Sequence, residues 1–300
     1  MNRKSLLLVL AGYMLWGVLP LYWHLLANVS PLFVLANRIL WSAVFTVIVL
    51  AAGKRLKELK AMLLDRRVMK LLIPATVAIT LNWGIYIWAV GQNRVLEASL
   101  GYYMNPLMVF LLSTLVFKER CGRLELFALL FAAAGVVYST VQYGEFPFIS
   151  VLLAALFAIY GMFKKMAGVD GFVSVSVETI FLTPFALLFM LIWPGTPATL
   201  SGVTTLEAVL LVLAGAMTAI PLILYSQGVN SIPFLTMGFL QYISPTLMLL
   251  SGMLVMGEEF SVSKVVSFSF IGVGLILYTI GMARRERAAA AARAAVAANE

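Results

Sequence analysis

The sequence predicts an all-α integral membrane protein: ten transmembrane helices in a 5+5 inverted repeat. Three observations carry that prediction. Charged residues make up only 11% of the 300 positions and hydrophobic ones 62%. Soluble domains carry about 25% charge, so this chain could not cover a soluble surface. The charges also fall in short patches, and the runs between them exceed the roughly 18 residues that cross a ~30 Å hydrocarbon core. Finally, landmarks of the first half return in the second at one fixed offset.

The elements follow in order. Only helices and closed barrels satisfy their backbone in lipid, and these runs are far longer than the ~9–11 residues of a barrel strand. The first, 5–25, follows "NRK" and continues through Trp16, Tyr22 and Trp23 without a small-residue cleavage site. It therefore reads as a retained span rather than a removed leader. The second, 31–51, carries Arg38 within it. Within the loop 52–69, "KRLKELKAMLLDRRVMK" begins and predicts a short amphipathic helix on the inner membrane surface. Spans follow at 70–91, 96–117, 123–141, 147–166, 172–193 (which holds Glu178), 204–229, 233–256 and 262–282. The Ala- and Arg-rich stretch 283–300 reads as a helical cytosolic tail, and no function is assigned to it.

Charge sets the orientation. With the N-terminus in the cytosol, the inner segments hold Arg3 and Lys4, the basic loop from Lys54 to Lys70, Lys118, Arg120, Arg123, Lys164, Lys165 and the arginines from Arg284 onward. The outer segments hold only Arg94 and Lys264. Cytoplasmic loops carry the excess of Lys and Arg, so both termini are expected inside. The same distribution accounts for the net charge of +8, and no nucleic-acid partner is expected. Cys121 is the lone cysteine and His24 the lone histidine. That excludes an internal disulfide and a multi-Cys metal site, leaves few transition-metal ligands, and no cofactor is expected.

An offset of 139 residues pairs Tyr86 with Tyr225, Tyr103 with Tyr242, Pro106 with Pro245, Glu119 with Glu258 and Gly135 with Gly274. A gap-free offset that preserves Pro, Glu and Gly landmarks signals an internal repeat, here 1–142 and 143–282. Five spans per unit force the second copy to enter the membrane from the opposite side. The first copy's fourth span accordingly ends inside at "FKER", and its counterpart ends outside at "MGEE". Inverted repeats are a recurring plan of secondary transporters, whose substrates bind at mid-membrane between the repeats.

"LEASLGYYMNPL", "NWGIYIWAV", "NRILWS" and "GFLQYISPTLM" resemble the RarD-type (chloramphenicol-sensitivity) branch of the EamA family, in the drug/metabolite transporter superfamily. The resemblance runs through all ten spans and excludes the extreme tail. It implies a 5+5 helix fold in a bacterial inner (plasma) membrane, moving small organic solutes. One departure is Lys118, where the family's fourth span often ends in Gly-Glu, as Gly257-Glu258 does here.

Candidate transport residues follow from helical spacing. Proline removes an intrahelical hydrogen bond and kinks a helix, so Pro106 and Pro245 are candidate hinges; the plain alternative is an ordinary membrane-helix kink. Ser99, Tyr102 and Asn105 recur at i, i+3, i+6 and share a face, with Tyr103 beside them. Gln241, Tyr242 and Ser244 occupy the equivalent span. Asn82, Trp83 and Tyr86 on span three, Tyr225 on span eight and Trp16 on span one complete an expected cavity of aromatics and amides. Such a lining suits amphipathic, aromatic or weakly charged solutes. The competing reading is interfacial belts and amides that glue helices; Trp23, Trp41 and Trp193 are better belt candidates.

Arg38 and Glu178 are intramembrane charges, each costing several kcal/mol unless paired or hydrated. Depth matches Arg38 with Glu97 and Glu178 with Lys164 or Lys165, giving two candidate gates; static pairing or snorkelling is the alternative. Glu178 is also a candidate proton-coupling carboxylate, because burial raises a carboxylate pKa. The sequence thus points to a secondary transporter, with export the expected direction, acting on a small-molecule substrate in the lipid bilayer. A channel or non-transporting scaffold is the alternative. An integral membrane enzyme fits less well, since one histidine leaves little for a catalytic arrangement. The solute, the direction, the coupling ion and the oligomeric state are not fixed by the sequence.

Overall fold

The computed structural model describes residues 3–91, 95–144, 146–192 and 203–254, together with 266, 269–270, 272–274, 276–281 and 283–284. The described residues form helices α1 (Arg3–His24), α2 (Pro31–Ala52), α3 (Leu56–Leu64), α4 (Arg66–Gly91), α5 (Val95–Leu115) and α6 (Arg123–Tyr143). They continue as α7 (Phe148–Ala167), α8 (Gly171–Ile192), α9 (Thr205–Val229), α10 (Phe234–Leu240) and α11 (Ile243–Leu254). The residues described between 266 and 284 are helical as well. Among the described residues, seven helices are long and apolar enough to cross a membrane. Large side chains such as Leu191, Phe146 and Val141 are exposed on the bundle, which suits lipid rather than water. The chain is a multi-pass membrane protein.

Local chemistry places the helix ends. Pro31 opens α2, where its missing N–H costs nothing and its fixed φ is already helical. Gly168 ends α7 at φ +61, a left-handed conformation that side chains resist. The Asp170 carboxylate accepts from the Val173 amide at 3.0 Å and caps α8. Thr204 and Glu207 form a reciprocal capping box at the start of α9. Lys118, the departure from the family pattern, sits at φ +52. The chain thus makes the turn that a glycine would make, with a residue that pays for it. The amphipathic helix expected in 52–69 is α3, whose Leu59 is buried against α8 residues Val173 and Val177.

α1 packs along α9 and α11, and α7 packs along α4 and α5. α2 lies against both α8 and α9. Its approach to α9 is close because Gly215 has no side chain: a Cβ there would collide with the Trp41 backbone. The loops after α2, α5, α7 and α9 meet at one end of the bundle. There Arg55 pairs with Asp170 at 3.1 Å, and Gln227 reaches Asp170 at 2.9 Å. Glu119 accepts from the Phe234 and Leu235 amides at 2.7 and 2.8 Å, so the α5–α6 loop caps α10 from across the molecule.

One helix is broken. α10 stops at Leu240 and α11 starts at Ile243. Pro245 has no N–H to return to the Gln241 carbonyl, and the Ser244 amide takes that carbonyl at 3.1 Å instead. α5, by contrast, runs unbroken through Pro106. The two prolines, 139 positions apart, therefore act differently: the helix is interrupted at Pro245 and continuous at Pro106.

Candidate functional site

A cavity of about 380 Å³ reaches from mid-bundle to the α1–α2 turn, between α1, α2, α4, α5, α7, α9 and α11. Trp16 and Trp23 project from α1, Arg38 from α2, and Asn82, Trp83 and Tyr86 from α4. Tyr102 comes from α5, Phe157 from α7, Thr218 and Leu222 from α9, and Gln241, Ser244 and Pro245 from the broken segment. Three pairs of residues 139 apart in sequence line it together: Ile79 with Thr218, Trp83 with Leu222, and Tyr102 with Gln241. Pockets of this size, mostly apolar with a few polar groups, suit small organic molecules.

Arg38 dominates the electrostatics. Its Nε donates to Thr218 Oγ1 at 2.9 Å. Its guanidinium carbon lies 4.4 Å from the Trp23 ring centroid and 5.3 Å from that of Trp83, within cation–π range. Among the described residues no carboxylate pairs with it. The expected partner Glu97, like Ser99, has a side chain outside the described residues.

Asn82 and Asn105 donate to consecutive α7 carbonyls, Leu153 at 2.8 Å and Ala154 at 2.9 Å. They fasten α4 and α5 to α7. Asn82 still lines the main cavity, whereas Asn105 borders only a small separate space. Tyr225 is not part of the cavity wall. It lies in an aromatic cluster with Tyr13, Trp16, Phe157 and Tyr160, centroids 5.7–6.1 Å apart. Tyr103 and Tyr242 do not line the cavity either; they pack in an apolar cluster with Phe239 and Tyr278, and Tyr242 Oη donates to the Tyr103 carbonyl at 3.3 Å. Adjacent positions on a helix face about 100° apart. Facing Tyr102 and Gln241 into the cavity therefore turns their neighbours, Tyr103 and Tyr242, aside.

Beyond the aromatic cluster, toward the Arg55–Asp170 end, Lys164 and Glu178 form a buried ion pair, each 3% exposed. Lys164 Nζ also donates to Ser174 Oγ at 2.5 Å, and Tyr160 Oη donates to Glu178 at 3.3 Å. Lys165 turns elsewhere, to the Ile232 carbonyl at 2.6 Å. Of the two lysines at its depth, Lys164 is the one paired with Glu178, and hydrogen bonds from Lys164 and Tyr160 are what make a buried carboxylate tolerable.

Sequence reasoning missed Trp23, Phe157, Thr218 and Leu222 as wall residues. Trp23 resembled an interfacial belt residue, yet it lies over Arg38 in the wall. Thr218 and Leu222 carried an unread signal, since they are the offset partners of Ile79 and Trp83. Trp193 lies outside the described residues.

Residues 3–141 match the EamA-like transporter family. The chain is 41% identical to the transporter YojE of Bacillus subtilis (strain 168), covering 96% of this chain and 97% of that protein. It is 35% identical to the protein RarD of Salmonella typhimurium (strain LT2), covering 93% and 95%. It is 30% identical to the chloramphenicol-sensitive protein RarD of Pseudomonas aeruginosa, covering 92% and 93%. A solved crystal structure with 18% identity superposes with a TM-score of 0.76 over 95% of this chain and 99% of its own; that likeness shows the fold.

Proposed function

The chain belongs to the RarD-type branch of the EamA-like transporter family, and on that premise we propose that it is a secondary transporter of small organic solutes. It works by alternating access across a bacterial inner membrane, with ten spans in two inverted halves and both termini in the cytosol. The observation that carries this reading is the cavity itself. It reaches the α1–α2 turn at one end of the bundle, and the aromatic cluster and the Lys164–Glu178 pair lie beyond its other end. A continuous pore would have polar lining from end to end, whereas here the polar path ends at packed rings. With the basic loops inside, the α1–α2 end of the cavity faces outward. The cavity is then the outward-facing state of a carrier, and export is the proposed direction.

Lys164–Glu178 acts as the inner latch. Counterflow in proteoliposomes containing the full chain tests the function. Saturable exchange of a labelled solute is expected. Unitary ionic conductance, or no flux across metabolites, amino acids and drugs, would overturn it. Imposed pH gradients test coupling through Glu178: unchanged counterflow leaves it a latch only.

A further inference from the structure

We infer that the cavity selects organic anions, with a single carboxylate held by Arg38 and an apolar or aromatic body lying against the tryptophan walls. The inference rests on the transport reading and names its solute class.

A guanidinium offers five N–H donors. Arg38 spends one, from Nε, on Thr218. Among the described residues its other four have no hydrogen-bond partner, and no acidic side chain lines the cavity. A cation placed in a low-dielectric wall is costly unless something neutralises it. A solute carboxylate in the cavity is in position to do so.

The surrounding donors agree in sign. Tyr86 and Tyr102 stand edge to face with centroids 5.8 Å apart, and both belong to the same wall as Arg38. Among the described residues neither hydroxyl makes a hydrogen bond, so both are available to donate. Gln241 adds an amide with no partner among the described residues. These groups can donate to an anion, and a planar guanidinium matches a carboxylate in two parallel hydrogen bonds. A dianion would bring one more charge than the single cation neutralises, which favours a monocarboxylate over a phosphate ester.

The same geometry argues against cationic solutes. The rings best placed to hold a cation, Trp23 and Trp83, already face Arg38, and a second positive charge would meet it there. Trp16 and Phe157, 5.8 Å apart and edge to face, remain for the apolar body. Two tryptophans thus position the guanidinium, and Trp16 with Phe157 receives the ring.

The test uses three isosteric probes on the purified full chain: 3-phenylpropionate, 3-phenylpropionamide and 3-phenylpropylamine. Affinity is read from thermal shift and tryptophan fluorescence, and each probe is then tried in counterflow. Binding of the carboxylate at least about tenfold tighter than the amide, and tighter still than the amine, is expected. Arg38→Gln should bring the carboxylate down to the affinity of the amide, while Arg38→Lys should keep part of the preference. Equal binding of amide or amine by the unaltered chain would overturn the inference, as would a carboxylate preference that survives in Arg38→Gln. If Arg38→Gln does not fold, the head-group series on the unaltered chain still decides. Selective binding without counterflow would overturn transport and leave anion selection standing, and counterflow blind to the head group would do the reverse.

Discussion

Three sites show how local chemistry sets the energetics. Lys118 holds φ +52, a conformation that costs an L-residue roughly 1–2 kcal/mol. Lys118→Gly should therefore raise stability by about 1 kcal/mol in detergent unfolding, and Lys118→Val should lower it. The Lys164–Glu178 pair obeys a different rule. Removing one partner strands a buried charge and costs about 3–5 kcal/mol, whereas removing both is far cheaper. Lys164→Met should accordingly lose more stability than the double variant Lys164→Met/Glu178→Gln, and equal losses would show that the charges are not coupled. Asp170 lies in the α7–α8 loop. Burial alone would raise its pKa, but the Val173 amide, Gln227 and Arg55 outweigh it, and the carboxyl sits below its usual value. A depressed folded pKa gives stability that is present above the unfolded value of ~3.9 and fades as pH falls through the folded one. Asp170→Asn should thus be the less stable protein at pH 7, with the gap closing below about pH 4. A gap constant down to pH 3 would contradict the assignment.

At the scale of elements, helix positions were readable because lipid demands long apolar runs. The expected 31–51 and 204–229 lie within a residue of α2 and α9. The α10–α11 break was only half readable. Proline marks a weak point in either copy, but whether a helix opens there depends on the neighbours that hold it. Asn105 fastens α5 to α7 next to Pro106, while Ser244 beside Pro245 instead ties α11 to the Tyr13 carbonyl of α1 at 2.7 Å. Rotation about each helix also exceeded what spacing could resolve, which is why Tyr103 and Tyr242 were expected in a cavity that Tyr102 and Gln241 line. Pro245→Ala restores the missing donor and should let α10 and α11 join, shifting Gln241 and Ser244. Transport should fall several-fold with membrane insertion unchanged, and Pro106→Ala should have the smaller effect. Gly215→Val should instead impair assembly, because the added side chain meets the Trp41 backbone and forces α2 from α9. Gly84→Ala, with open space around it, is the matched control.

At the scale of the whole molecule, the packing of the two halves is unequal. By the 139-residue offset, α2 against α9 corresponds to α8 against α4. The first pair lies in contact along its length, while the second barely touches. A carrier of two similar halves held in one end state has this asymmetry, and exchange to the other state means exchanging the two packings. In the proposed carrier, the Lys164–Glu178 latch decides which state is populated. Lys164, Glu178, Ser174 and Tyr160 bind α7 to α8 toward one end, and the cavity reaches Val34 toward the other. In a Cys121→Ser background, Val34→Cys should react quickly with a membrane-impermeant maleimide added outside, and a bound solute should slow it. Ser174→Cys should resist reagent from either side. Adding Glu178→Gln removes one charge of the latch, so labelling of Ser174→Cys from the cytosolic side should rise several-fold while labelling of Val34→Cys falls. Opposite movement at the two sites is the signature of one equilibrium shared between two gates. If Ser174→Cys became reactive with Val34→Cys unchanged, the pair would be a local structural bond, and alternating access would need another latch.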